Sequence, residues 1–103
     1  MSRVEKLLAM LQDNANDAFL QHALALEYIK LAQDEQAITI FENLLAVNPD
    51  YVGSYYHLAK LQEKTGEVDQ AILTYEKGMA VAQKLNDRHA YGELHGAWEE
   101  LTM

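Results

Sequence analysis

Apolar positions in this chain recur at intervals of three and four residues, and nowhere do they alternate with polar ones at the period of two that a strand needs. Val4, Leu7, Leu8, Met10 and Leu11 share one face of a short first helix. Ser2 and Glu5 open it as a capping box, and it ends near Asp13 or Asn14. Residues 14–17 have turn chemistry, with Asp17 placed to accept from the exposed donors of the next helix. That helix, about residues 18–31, carries two apolar stripes. Leu20, Leu24 and Leu31, with Tyr28 at their edge, lie on one side, and Phe19, Leu26 and Ile29, with His22 among them, on the other. A helix that is apolar on both sides is either sandwiched or presents a binding surface. A third helix, about residues 35–47, turns Ala37, Ile38, Phe41, Leu44 and Leu45 inward and stops at Asn48 and Pro49. Proline disfavours helical geometry in the residue before it and donates no backbone hydrogen bond. Asp50 is expected to cap the fourth helix, about residues 51–65, which Gly66 ends in a left-handed conformation. A fifth helix spans about 68–85. After a break at Asn86 and Asp87, a sixth spans about 88–101 with Tyr91, Leu94, Trp98 and Leu101 on one face.

Displaced by 34 positions, the chain matches itself without a gap. Leu24 meets Leu58, Ala25 meets Ala59, Lys30 meets Lys64 and Gln36 meets Gln70. Ala37 then meets Ala71, Ile38 meets Ile72, Glu42 meets Glu76, Ala46 meets Ala80 and Val47 meets Val81, with Phe41 against Tyr75. A period in this range marks a stack of helical repeats. Under the same shift Val4 falls on Ile38, Leu7 on Phe41, Met10 on Leu44, Leu11 on Leu45 and Asn14 on Asn48, so the first helix reads as the second half of a truncated repeat. Ala25, Ala59, Ala37 and Ala71 are small where two helices must approach closely. Gly78 permits closer approach still, at a helix-propensity cost of roughly 1 kcal/mol.

The helix–turn–helix unit and its period resemble the tetratricopeptide repeat. The first copy reads Gln21-x-x-Leu24-Ala25-x-x-Tyr28, then Ala37-x-x-x-Phe41, then Pro49. The second reads Tyr55-x-x-Leu58-Ala59-x-x-Gln62, then Ala71-x-x-x-Tyr75. It departs from the pattern at Gln62, and at Gln83, where a proline is usual. Tyr91-x-x-Leu94-His95-x-x-Trp98 repeats the first-helix pattern once more, with His95 at a position that usually holds a small residue. The resemblance implies an all-α, right-handed superhelix of six antiparallel stacked helices in a single domain. Residues 1–16 would be a half-repeat, 17–50 and 51–85 the two full repeats, and 86–103 a capping helix.

It further implies a non-catalytic interaction module whose first helices line a concave groove for a peptide or helix. By position, that groove would be lined by Phe19, His22, Leu26, Ile29 and Lys30 from the first copy. The second copy would add Gly53, Tyr56, His57, Lys60, Glu63 and Lys64, and the last helix Gly92, Glu93 and Gly96. The chaperone-tail clamp of this family holds a terminal carboxylate with Lys and Asn at set positions. Here those positions are His22, Leu26, His57 and Glu93, so the clamp is not expected. The alternative of equal weight is a structural subunit that forms a homodimer by covering the Phe19, Leu26 and Ile29 stripe, because an exposed apolar patch on a small domain is usually an interface.

Composition narrows the classes further. A chain of 103 residues, half of them hydrophobic and one of them proline, is the size of one domain with a buried core. Eight basic against sixteen acidic side chains give a net charge of −8, which disfavours nucleic acid and anionic lipid. The absence of cysteine excludes a disulfide framework, a thiolate metal site and a cysteine nucleophile. The N-terminus has neither a signal-peptide core nor a membrane span, so a cytoplasmic protein is expected. No phosphate loop, metal-binding histidine motif or nucleophile elbow occurs. His22, His57, His89 and His95 are read as partly exposed helical residues, with a weak metal site at His22 and His57 as a remote alternative and no cofactor expected. Adjacent acids such as Glu99 and Glu100 are read as solvated surface.

Overall fold

Local chemistry explains where each helix begins and ends. The computed structural model describes residues 1–103. It contains α1 (Arg3–Asp13), α2 (Ala18–Lys30), α3 (Asp34–Val47), α4 (Gly53–Lys64), α5 (Val68–Lys84) and α6 (Arg88–Thr102), and no strand. At the start of α1 the Ser2 hydroxyl accepts from the Glu5 N–H at 3.1 Å, and the Glu5 carboxylate accepts from the Ser2 N–H at 3.2 Å. Asp17 caps α2 through the Leu20 N–H, and Asp87 caps α6 through the Ala90 N–H, each at 3.0 Å. Such caps contribute about 1 kcal/mol each. The chain leaves α2 and α4 through left-handed residues, Ala32 at φ 59° and Gly66 at φ 86°.

Two sequence-based expectations fail at helix ends. Asp50 does not cap α4. Val52, just before that helix, already has helical angles and no side chain caps it, while Asp50 instead accepts from Lys84 Nζ at 3.0 Å. The backbone entering α4 is held by Tyr55, whose hydroxyl donates to the Pro49 carbonyl at 2.6 Å. Leu31, expected on an apolar stripe, is 56% exposed. It is the residue after α2 ends, so the 100° step of the helix no longer governs where its side chain points.

The helices gather into two units, Met1–Asn48 and Pro49–Met103. In the first, α2 packs against both α1 and α3. Leu7, Leu24, Ala25, Ala37, Phe41 and Leu44 form its core, with Ala25 and Ala37 wholly buried. An ion pair from Arg3 to Glu27 at 3.4 Å also joins α1 to α2.

In the second unit α5 packs against both α4 and α6. Tyr55, Leu58, Ala59, Ala71, Tyr75 and Leu94 are buried there. Gly78 is the point of closest approach. A Cβ at that position would lie 2.7 Å from the Tyr55 Cβ and 3.0 Å from a Leu94 methyl, so α5 can hold its place only without a side chain there. The core of this unit also contains polar pairs. The Thr74 hydroxyl donates to the buried Gln62 carbonyl oxygen at 2.7 Å, and the Tyr75 hydroxyl donates to the Glu63 carboxylate.

Candidate binding surfaces

In the first unit the candidate residues follow one another along α2. Phe19 is 70% exposed, whereas Leu26 and Ile29 are half-buried. His22 packs edge-on against the buried Phe41 ring, with 5.5 Å between centroids, and so belongs partly to the core. Lys30 pairs with Glu27 at 3.2 Å, and Glu27 also receives Arg3. The surface of this unit is therefore an apolar stripe led by Phe19, with its lysine engaged by an acidic residue of the same helix.

In the second unit α4 and α6 enclose a hollow of about 270 Å³, lined by Tyr56, Lys60, Gly92, Glu93, Gly96, Ala97 and Glu100. Five residues selected from the sequence, Tyr56, Lys60, Gly92, Glu93 and Gly96, are brought together here. A Cβ on Gly92 or Gly96 would meet no atom within 4 Å, so both glycines leave open space beside the helix. Lys60 Nζ lies 5.6 Å from the Tyr56 ring centroid and 3.7 Å from the Glu63 carboxylate. The Tyr56 ring is set edge-on to His57 and to Tyr75. Burial pushes the His57 imidazole below its ordinary pKa, with Glu93 opposing the shift, so His57 is neutral at physiological pH. Burial and the hydrogen bond to Glu63 push the Tyr75 phenol far above its ordinary value. Glu63, expected on the groove, is thus an acceptor for both Tyr75 and Lys60 and is largely committed inside its own unit.

Gly53 and Lys64, at the first and last positions of α4, do not line the hollow. Glu100 does line it, although the sequence suggested only solvated surface. The signal was there: residues 93, 96, 97 and 100 fall on one helical face, and the side-chain-free glycines mark that face. A second, mostly apolar hollow of about 430 Å³ lies in the first unit beside Leu8, Tyr28 and Ile40, and none of the expected binding residues lines it. No three His, Asp or Glu side chains gather in a way that could hold a metal ion, and no helix is long and apolar enough to cross a membrane.

A profile of the tetratricopeptide repeat matches residues 33–95. A TPR repeat-containing protein of Methanocaldococcus jannaschii is 38% identical over 58 residues, which are 56% of this chain and 10% of that protein. The chain therefore spans about a tenth of the length of that curated relative. Among solved structures, the tetratricopeptide repeat domain protein of Salinibacter ruber in its crystal structure is 40% identical, with a TM-score of 0.80 over 82% of this chain and 96% of that one. The solution structure of a Bordetella parapertussis protein is 26% identical, with a TM-score of 0.83 over 98% and 88% of the two chains.

Proposed function

The chain belongs to the tetratricopeptide repeat family, and on that premise we propose that it is a non-catalytic interaction module that holds a peptide or helix of a partner protein. The observation that carries the proposal is the hollow between α4 and α6, where an aromatic ring, a lysine and two exposed glycines meet. Recognition of a peptide or helix in a groove needs a few anchoring side chains and room for the ligand to approach closely. Tyr56 is such an anchor, and Gly92 and Gly96 leave the room. Residues 17–50 and 51–85 are then the two full repeats, flanked by the half-repeat 1–16 and the capping helix 86–103, in a cytoplasmic protein that needs no cofactor.

The test is selection of ligands from a displayed library of short random peptides, followed by binding to variants. Gly96→Leu fills the hollow and is expected to abolish binding of the selected peptides while helical circular dichroism stays unchanged. Leu26→Asp reports in the same way on the face of α2. Failure to enrich any peptide, or enriched peptides that bind both variants as well as wild type, overturns the proposal.

A second function is favoured by Phe19, which is 70% exposed at the head of an apolar stripe. Through that stripe two copies of the chain would form a homodimer. Sedimentation at two concentrations decides it: a strict monomer at high concentration removes the homodimer, and a dimer that Phe19→Asp dissociates supports it.

A further inference from the structure

Charge around the α4–α6 hollow is unequally matched. Its one cation, Lys60, lies within ion-pairing distance of Glu63, which also accepts from Tyr75. The two carboxylates on the α6 side have no such match. Glu93 pairs only with His89, at 3.5 Å, and neither Glu93 nor Glu100 is paired with a lysine or arginine. The histidine facing Glu93 from α4, His57, is kept neutral by its burial. Within the hollow, then, the one lysine has a carboxylate partner, and the two carboxylates of α6 have neither lysine nor arginine. Beside those carboxylates lie the uncovered backbone of Gly92 and Gly96 and the Tyr56 side chain. The volume, about 270 Å³, equals that of about nine waters at ~30 Å³ each, ample for one long side chain.

Resting on the proposed docking function, we infer that this hollow receives an arginine or lysine side chain of the partner segment. The stem lies along the Gly92 and Gly96 strip, where a flexible aliphatic chain covers the bare helix surface. The charged head reaches Glu93 and Glu100, within range of the Tyr56 ring. Each part of the guest meets a matching part of the wall, and a net charge of −8 on the whole chain attracts a basic segment over longer range. The competing occupant is an acidic side chain held by Lys60. The two occupants demand opposite responses from the same variant. Lys60→Gln removes a like charge for a basic guest and the only attractive charge for an acidic one.

The experiment uses the 15N-labelled protein, titrated with the peptides acetyl-Ala-Ala-Xaa-Ala-Ala-amide in which Xaa is arginine, citrulline or glutamate. The readout is the amide shifts of Gly92 and Gly96. The arginine peptide is expected to move both resonances saturably, at least fivefold more tightly than its neutral isostere citrulline, and to weaken as sodium chloride is raised. Glu93→Gln combined with Glu100→Gln should remove the preference for arginine, and Lys60→Gln should tighten arginine binding two- to fivefold. Equal binding of arginine and citrulline, or preferential binding of the glutamate peptide that Lys60→Gln abolishes, overturns the basic guest but leaves the hollow as a docking site. If no peptide moves either glycine, or Gly96→Leu leaves every shift unchanged, docking at the hollow itself is overturned.

Discussion

Laid over each other at an offset of 34 residues, the two units fill the same spaces with different side chains. Where the first has Gln21 on α2 and the fully buried Leu44 on α3, the second has Tyr55 on α4 and Gly78 on α5. Bulk has moved from one helix of the pair to the other. The Cβ that Gly78 lacks would collide with the Tyr55 Cβ at 2.7 Å, whereas Leu44 sits at the same repeat position with no exposed surface. A second exchange concerns polarity. Tyr28 and Ile40 become Gln62 and Thr74, and Ile29 and Phe41 become Glu63 and Tyr75. In the second unit both pairs are hydrogen-bonded. The lesson is that a repeat constrains pairs of positions, and that single departures from the pattern, such as Gln62, are to be read together with the residue they touch.

The most disruptive way to break the comparison is at the exchanged bulk. Leu44→Ala should cost roughly 2–5 kcal/mol in urea unfolding, since it empties a fully enclosed site. Gly78→Ala, normally a gain of about 1 kcal/mol in helix propensity, should instead lose about 1–3 kcal/mol through overpacking against Tyr55. A stabilised Gly78→Ala variant would show that the close approach is absent. The exchanged polarity comes next. Thr74→Val leaves the Gln62 carbonyl buried without its donor and should cost about 1–3 kcal/mol, and Gln62→Leu in the same chain should restore most of the loss. A double variant no better than the single one would mean that the two side chains are not coupled.

A pH titration sharpens the contrast between Tyr75 and its counterpart Phe41. The phenol of folded Tyr75 ionises far above the unfolded value of about 10. Its contribution is complete below pH 10 and falls as pH rises beyond that, because the unfolded chain releases its proton first. Tyr55, raised by burial and by Asp50, acts in the same direction. The urea midpoint should therefore drop between pH 10 and pH 11, and drop less in Tyr75→Phe. The smallest effect is expected at the turns. Ala32 holds a left-handed φ of 59° where the second unit has Gly66 at 86°. Ala32→Gly should stabilise by up to about 1 kcal/mol, the relieved strain outweighing the added chain entropy, and Gly66→Ala should lose a similar amount. Equal and opposite shifts in thermal midpoint would confirm that the two turns share one geometry.

Much of this was legible along the chain because it rests on local rules. The capping box at Ser2 and Glu5, the cap at Asp17, the stop at Pro49 and the left-handed Gly66 each depend on residues within one turn of helix, and each lies where the pattern placed it. The tetratricopeptide repeat class was legible for a related reason: Ala25, Ala59, Ala37 and Ala71 must be small for the helices to meet, and all four are wholly buried. Asp50 was misread because its partner, Lys84, lies a full repeat away. Glu63 was placed on the ligand surface because nothing in its neighbourhood on α4 shows that Tyr75 reaches it from α5.

By itself, then, the sequence determined the helices, their ends, the period and the family, since hydrophobic spacing, caps and small residues act over a few residues or recur at a fixed interval. Only the tertiary structure decided which polar groups are consumed inside a unit and which are left without a cationic partner. Glu63 is held by Tyr75 and Lys60, while Glu93 and Glu100 stand unpaired with any lysine or arginine beside two bare glycines. Whether a charge is already satisfied depends on what the folded chain brings within a few ångströms of it, and the linear spacing of residues does not carry that information.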